Sequence, residues 1–130
     1  MDLDAALATL RRTAARHDGL RLLLLHGSRS RHRDHDRSDW DLGYLADGDL
    51  DQAGLHADVS DALGTDDVDL VDLARSSALL RFEAAGHGRC IYESAPGNAD
   101  AFVLGATIFW CDAEPVIRRA QAAVLAGLSA

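Results

Sequence analysis

The chain has few cysteines: only Cys90 and Cys111 among 130 residues. Their spacing indicates neither a metal site nor a disulfide framework, so a reducing cytoplasm is the expected environment. The N-terminal residues, Met1 to Asp4, are acidic and lack the pattern of a signal peptide. We therefore expect a cytoplasmic protein.

Long hydrophobic runs are also missing. The longest apolar stretch, Ala101 to Cys111, is too short to span a membrane. The chain has no internal repeats and no low-complexity linker. Its length is that of one ordinary domain, and its 48% hydrophobic residues are enough for a core. We expect one domain over residues 1–130, without contact to a membrane.

A net positive charge is absent as well. The chain carries 13 basic and 21 acidic residues, which gives a net charge of −8. A free-standing nucleic-acid binder usually has a basic face, so this charge argues against an enzyme that works on long templates. The Arg and His residues do cluster in one segment, where they would lie near a phosphate or an acceptor: Arg29, Arg31, His32, Arg33, His35 and Arg37.

Helical and strand patterns alternate along the chain, which indicates an α/β domain with a small mixed sheet of about four strands flanked by helices. The predicted strands are residues 20–26, 39–46, 67–73 and 89–93. The predicted helices are residues 4–17, 50–63, a helix capped by Ser76 or Ser77 that ends near Ala85, and a C-terminal helix from residue 98. Pro115 should break or kink the last helix, with Asp112 capping a second segment up to Leu125.

The most informative pattern joins a Gly-Ser turn to a pair of carboxylates. Gly27 and Ser28 follow a run of leucines, and ten residues separate Ser28 from Asp39. In a strand, Asp39 and Asp41 point to one face while Trp40 points to the core. Two adjacent carboxylates are tolerated where they hold a divalent cation, and a Gly-Ser turn can cradle phosphates.

This spacing resembles the nucleotidyltransferase superfamily that includes polymerase beta, and within it the single-domain minimal nucleotidyltransferases. The segments Val68 to Leu73 and Gly88 to Glu93 look like the family's third strand and its G-x-x-(L/I)-Y-E strand. The resemblance implies the nucleotidyltransferase fold and a Mg²⁺-dependent enzyme with ATP as substrate. It also implies that Mg²⁺, in a two-metal site, is held by Asp39, Asp41 and Asp69.

The third carboxylate has two candidates, because Asp69 and Asp72 lie on one predicted strand. By resemblance, the family's third carboxylate stands between two hydrophobic residues on this strand, which fits Val68-Asp69-Leu70. Asp69 is preferred over Asp72, which would lie at the strand end or on the surface. Asp69 would act as a general base or as a metal ligand. The resemblance further assigns nucleotide binding to Gly27, Ser28, Arg29, Arg31 and Ser38. The alternative for the two arginines is pairing with Asp34 or Asp36.

One departure from the family pattern falls between these residues. The usual sequence is G-S-R-A-R-G, whereas this chain has Ser30 in place of Ala and His32 in place of Gly. If that Gly adopts a positive φ, His32 would be strained there. The departure therefore bears on the geometry of this segment and leaves the carboxylates unchanged.

Free-standing proteins of this kind resemble the antitoxins of HEPN–MNT toxin–antitoxin modules. The resemblance implies transfer of AMP from ATP to a hydroxyl of a HEPN ribonuclease toxin. The alternatives are a binding antitoxin that needs no catalysis and a small-molecule nucleotidyltransferase of the aminoglycoside type. Residues 98–127 would contact the partner, and residues 101–111 are apolar on nearly every side, which indicates either burial or a homo- or hetero-oligomeric contact.

Overall fold

The computed structural model describes residues 2–27 and 39–129. Helices and strands alternate through most of this range. In chain order they are α1 (Leu3–Ala15), β1 (Leu20–His26), β2 (Trp40–Ala46), α2 (Gln52–Leu63), β3 (Val68–Asp72), a 3-10 turn (Leu73–Arg75), α3 (Ala78–His87), β4 (Arg89–Glu93) and α4 (Asn98–Ser129). The predicted α/β class is confirmed.

Side chains and glycines fix where the helices begin and end. Asp2, Asp51 and Ser77 cap α1, α2 and α3, each accepting a hydrogen bond from a backbone N–H of the first turn. Gly64 ends α2 in the left-handed conformation, with φ of 68°. These caps explain why the predicted boundaries lie within a few residues of the observed ones.

The four strands form one mixed sheet in the order β3-β2-β1-β4. β1 pairs antiparallel with both β2 and β4, whereas β2 pairs parallel with β3. A parallel pair needs a crossover connection, and α2 supplies it. The C-terminal end of β1 and the N-terminal ends of β2 and β3 therefore meet at one edge of the sheet.

Two apolar cores cover the two faces of the sheet. The leucine run of β1 contributes to both, since Leu23 and Leu25 lie in the first core and Leu22 and Leu24 in the second. The first core contains residues of α1 and α2, among them Leu7, Leu10, Leu55 and Val59. The second contains residues from the 3-10 turn, α3 and α4: Leu73, Ala84, Phe102 and Ala106. The leucine run of β1 is therefore buried on both faces of the sheet.

The C-terminal helix differs from its prediction. α4 runs without interruption from Asn98 to Ser129 with Pro115 inside it, so the predicted break is wrong and Asp112 is not an N-cap. Proline removes the bond that would reach the carbonyl of Cys111. Among the described residues, no helix, α4 included, is long and apolar enough to cross a bilayer.

The apolar segment 101–111 was expected either to be buried in the domain or to contact another molecule, and its two sides differ in this respect. Phe102 and Ala106 are buried in the second core, as burial within the domain requires. Leu104 and Ile108 are 63% and 53% exposed on the other side of the helix. Burial therefore accounts for one side of the segment, and a contact with another molecule stays a prediction for the other.

Candidate active site

Three polar side chains lie in a row across the edge where β1 ends and β2 and β3 begin. His26 is in register with Asp41, and Asp41 is in register with Asp69. Leu24 packs in the second core, so His26, two residues later, lies on the same face of the sheet. Trp40 is buried in the first core, and Asp41 therefore points to the face that His26 occupies.

Asp41 is the central carboxylate of this row. Burial raises the pKa of Asp41 above its usual value, and the charges of Asp69 and Asp39 raise it further, while His26 opposes the shift. Asp69 and Asp39 are exposed, whereas Asp41 is partly buried. Asp39, which directly precedes β2, is thus close enough to Asp41 to repel it. The predicted carboxylates Asp39, Asp41 and Asp69 are brought together at one edge.

Gly27 lies directly against the side chain of Asp41. Its φ is +73°, a conformation that L side chains rarely adopt. A Cβ added to Gly27 would lie 3.2 Å from both Cβ and Cγ of Asp41, with Oδ2 nearer still. The absence of a side chain at position 27 therefore lets the chain turn and leaves room for the carboxylate.

Asp72 occupies a different place from Asp69. Its Oδ1 accepts a hydrogen bond of 3.0 Å from Ala74 N and so caps the 3-10 turn, and Oδ2 lies 3.7 Å from Arg75 Nε. Asp72 is in register with Tyr44, near the far end of β2 from Asp41. The geometry is consistent with the preference for Asp69 as the third carboxylate.

A paired substitution tests this choice. We expect Asp69→Asn to lower the rate of nucleotidyl transfer by about 10²-fold or more, the size of the effect of a lost general base. We expect Asp72→Asn to leave the rate nearly unchanged, since the amide oxygen still accepts the Ala74 bond. Initial rates of label transfer from ATP measure both. A larger loss for Asp72→Asn than for Asp69→Asn would reverse the assignment.

His26 is the residue of this site that sequence reasoning left out. Burial lowers its pKa, so the imidazole is neutral at pH 7, although Asp41 and Asp69 oppose the shift. Its Nε2 is buried and has no hydrogen-bond partner among residues 2–27 and 39–129. The signal in the sequence is its position two residues after Leu24, on the same face of β1.

The chemistry of the carboxylates fits Mg²⁺, which prefers oxygen ligands. Mutual repulsion of Asp39, Asp41 and Asp69 is the condition that a divalent cation relieves. Within residues 2–27 and 39–129, however, no three His, Cys, Asp or Glu side chains converge closely enough to hold a metal by themselves. Mg²⁺ is commonly held by one or two carboxylates together with substrate phosphates, so this arrangement suits a metal that arrives with a nucleotide.

The raised pKa of Asp41 gives the site a pH dependence. Protonated Asp41 cannot bind Mg²⁺, so the rise in melting temperature caused by Mg²⁺ and ATP should fall as the pH is lowered, and at a higher pH than for an ordinary aspartate. Without ligand the sign is opposite. The folded state holds this proton more tightly than the unfolded chain, so the destabilisation caused by charged Asp41 is relieved as the pH falls through the raised pKa. Melting curves from neutral pH down to about pH 4, the ordinary value for an aspartate, check both signs.

The remaining predicted nucleotide-binding residues lie outside the described residues: Ser28, Arg29, Arg31 and Ser38. The same holds for Ser30 and His32, where the sequence departs from the family pattern. Their roles stay predictions. Of the predicted nucleotide-binding residues, Gly27 is therefore the one whose place beside the carboxylates is described.

A Gly turn beside carboxylates on paired strands is the arrangement expected of a nucleotidyltransferase. The family model of polymerase beta nucleotidyltransferases matches residues 8–96, more than half of the sequence, and the chain belongs to this family. Membership supports a nucleotidyltransferase activity. No functionally curated protein matches the chain.

Solved structures of toxin–antitoxin complexes share the fold over nearly the whole chain. One, a toxin–antitoxin with AMP-PNP, aligns over 99% of this chain and 100% of its own, with a TM-score of 0.70 and 24% identity. A second, MntA–HepT, covers 93% and 92% with a TM-score of 0.60 and 23% identity. A third, a tri-AMPylated HEPN toxin with an MNT antitoxin from Shewanella oneidensis, covers 86% and 85% with a TM-score of 0.58 and 24% identity. The predicted resemblance to minimal nucleotidyltransferases is confirmed at the level of the fold.

Proposed function

We propose that the chain is an antitoxin that transfers AMP from ATP to a hydroxyl group of a HEPN-type toxin. The observation that carries the proposal is the row across β1, β2 and β3, in which Asp41 and Asp69 are in register beside Gly27. This row provides carboxylates for a metal and a close backbone approach for a phosphate at one edge of the sheet.

The carboxylates and the glycine turn each have a part in this reaction. Asp39, Asp41 and Asp69 would hold Mg²⁺, which neutralises phosphate charge and orients the triphosphate when it is bound. Gly27, with Ser28 after it, would bring the backbone to the triphosphate. Catalysis then consists of positioning and charge stabilisation, as phosphoryl-type transfers require.

The reaction is a single displacement at the α-phosphorus of ATP. The oxygen of the acceptor hydroxyl forms a bond to this phosphorus, and the bond from it to the bridging oxygen of the β-phosphate breaks. Pyrophosphate leaves with that electron pair. The hydroxyl proton passes to a base, for which Asp69 is the candidate, because it is exposed at the edge of the site beside Asp41.

The choice of a protein acceptor has two supports. The net charge of −8 disfavours a long nucleic acid as acceptor. Several solved structures that share this fold are toxin–antitoxin complexes, and one of them contains a tri-AMPylated HEPN toxin. The acceptor is inferred from the fold together with the charge.

The test is label transfer with purified chain, Mg²⁺ and its HEPN-type partner. We expect label from α-³²P-ATP but not from γ-³²P-ATP to enter the partner, because AMP transfer keeps only the α-phosphorus. Asp41→Asn should abolish the label, and Asp72→Asn, a matched change outside the row, should retain it. Absence of label with wild type, Mg²⁺ and a bound partner would refute the transfer.

A second candidate is an antitoxin that acts by binding alone. The observation that favours it is the set of exposed apolar side chains on α4, including Val124 and Leu128 at 64% and 78% exposure. The two candidates separate in one experiment. If the Asp41→Asn variant still neutralises the toxin, binding alone is favoured. If this variant forms the complex but no longer neutralises the toxin, AMP transfer is favoured.

A further inference from the structure

The second half of α4 extends past the domain that its first half packs against. Phe102 and Ala106 lie in the second core, and Trp110 stacks on Phe82 of α3 with ring centroids 5.3 Å apart. From Val116 to Leu128, by contrast, every residue is exposed. We call residues 116–128 the projecting segment. It has 13 residues, and an isolated helix of that length is marginal in water.

The apolar stripe of α4 continues along this projecting segment. Four residues of the domain-packed half, Phe102, Ala106, Trp110 and Ala113, are followed at the same three- and four-residue spacing by Ile117, Ala120, Val124 and Leu128. Such spacing keeps side chains on one side of a helix. The side that packs on the domain in the first half is therefore apolar and exposed in the second.

The exposed apolar surface of the projecting segment is wider than this stripe. At about 100° per residue, Val116 and Leu125 lie about 180° apart around the helix, with Ile117, Val124 and Leu128 between them. Ala120, Gln121, Val124 and Leu125 also line a shallow depression on this arc. A helix that packs on one neighbour needs a stripe of about 100°, so this arc fits two neighbouring surfaces.

Positively charged side chains lie at both edges of the apolar arc. On the same helical projection Arg119 lies beyond Val116, Arg118 lies beyond Leu125, and no acidic residue occurs between positions 115 and 129. Arg118 Nη1 is 3.6 Å from Glu114 Oε1. Arg118 is itself exposed, so it can exchange this carboxylate for another at little cost. In a chain of net charge −8, this segment is thus apolar with two positive edges.

We propose that the projecting segment of α4 inserts into an apolar groove between two helices of the protein partner, with carboxylates on the rims of the groove facing Arg118 and Arg119. The proposal rests on the proposed function, which requires a partner protein, and it names the surface that holds this partner. Helix-in-groove recognition buries a wide apolar arc and leaves the remaining side of the helix in water.

A second copy of this chain fits the segment less well. Two such segments packed against each other would share a contact about 20 Å long and about 10 Å wide, from the dimensions of a 13-residue helix. That contact is well below the roughly 1,000 Å² of total area that a specific interface needs. One neighbouring helix would also cover only part of the arc.

The experiment compares two doubly substituted full-length chains. Ile117→Asp/Val124→Asp places charges within the arc, and Ala122→Asp/Ala126→Asp places the same charges on the opposite side of the same helix. Binding to the HEPN-type partner is measured by titration calorimetry. We expect the dissociation constant to rise at least about 30-fold for the first variant and less than about threefold for the second.

The outcomes separate this proposal from the catalytic one. If the partner binds the two variants with equal affinity, the proposed insertion into a groove is wrong. The contrary result is an isolated wild-type chain that forms a dimer, which the first variant disrupts and the second retains. That result would overturn the proposal and identify a second copy of this chain as the neighbour of the projecting segment. Asp41→Asn should bind the partner with unchanged affinity, and the Mg²⁺–ATP thermal shift should be unchanged in both α4 variants. A variant that binds the partner normally but no longer labels it would then be impaired in AMP transfer alone.

Discussion

Asp41→Asn is expected to lower the rate of nucleotidyl transfer by about 10³-fold or more, because a metal contributes several kcal/mol to charge stabilisation and each 1.36 kcal/mol is tenfold in rate. The fold should survive and gain slightly in stability. The asparagine keeps the shape of the side chain and removes a charge that is disfavoured by burial and by repulsion from Asp69 and Asp39. A rise in melting temperature of about 1–3 °C corresponds to a few tenths of a kcal/mol in a domain of this size.

The measurement combines transfer rates with melting curves in the presence and absence of Mg²⁺ and ATP. Ligand should stabilise the wild type and have little effect on Asp41→Asn. The matched control is Asp72→Asn, which removes the same charge at the far end of the sheet from the row. If Asp41→Asn were strongly destabilised without ligand, the view of Asp41 as an electrostatically costly residue kept for metal binding would be wrong.

Local sequence signals account for most of the fold. Leu20–His26 and Arg89–Glu93 were predicted as strands with the observed bounds, because their apolar or β-branched residues end at glycine or proline turns. The caps Asp51 and Ser77 are equally local, since a side chain and a backbone N–H of the same turn make them. Such features need no knowledge of distant residues.

The site required information that the local pattern does not contain. The spacing of Asp69 and Asp72 places them on opposite faces of a strand, but only the register between β2 and β3 determines which of them stands beside Asp41. The position of His26 depends in the same way on its register with Asp41. The family resemblance, rather than periodicity, favoured Asp69, and neither had favoured His26.

Pro115 is the clearest failure of a local rule. Proline was expected to break or kink the C-terminal helix, and α4 continues through it without a break. The rule gives the cost of one lost hydrogen bond and one steric clash, and the outcome depends on what holds the helix on either side. On the N-terminal side, Phe102 and Ala106 are held in the second core and Trp110 is stacked on Phe82.

Gly27→Ala is expected to reduce transfer by about 10²-fold or more, the loss that accompanies a displacement of about 1 Å in a reacting group. Two effects act together. Alanine at a φ of +73° costs about 1–2 kcal/mol of stability. The new Cβ would also displace the Asp41 carboxylate, whose Cγ is only 3.2 Å from the place where that atom would lie. The affinity for Mg²⁺ should therefore fall together with the rate.

Gly64→Ala is the control that introduces backbone strain without displacing a neighbouring side chain. Gly64 has nearly the same conformation, with φ of +68°, but a Cβ there would meet nothing within 4 Å. Both substitutions should lower the melting temperature by comparable amounts, whereas only Gly27→Ala should impair transfer and Mg²⁺ binding. Rates measured well below both melting temperatures make the comparison. Equal losses of transfer in the two variants would mean that the effect at position 27 is general instability, and that the contact between Gly27 and Asp41 does not position the carboxylate.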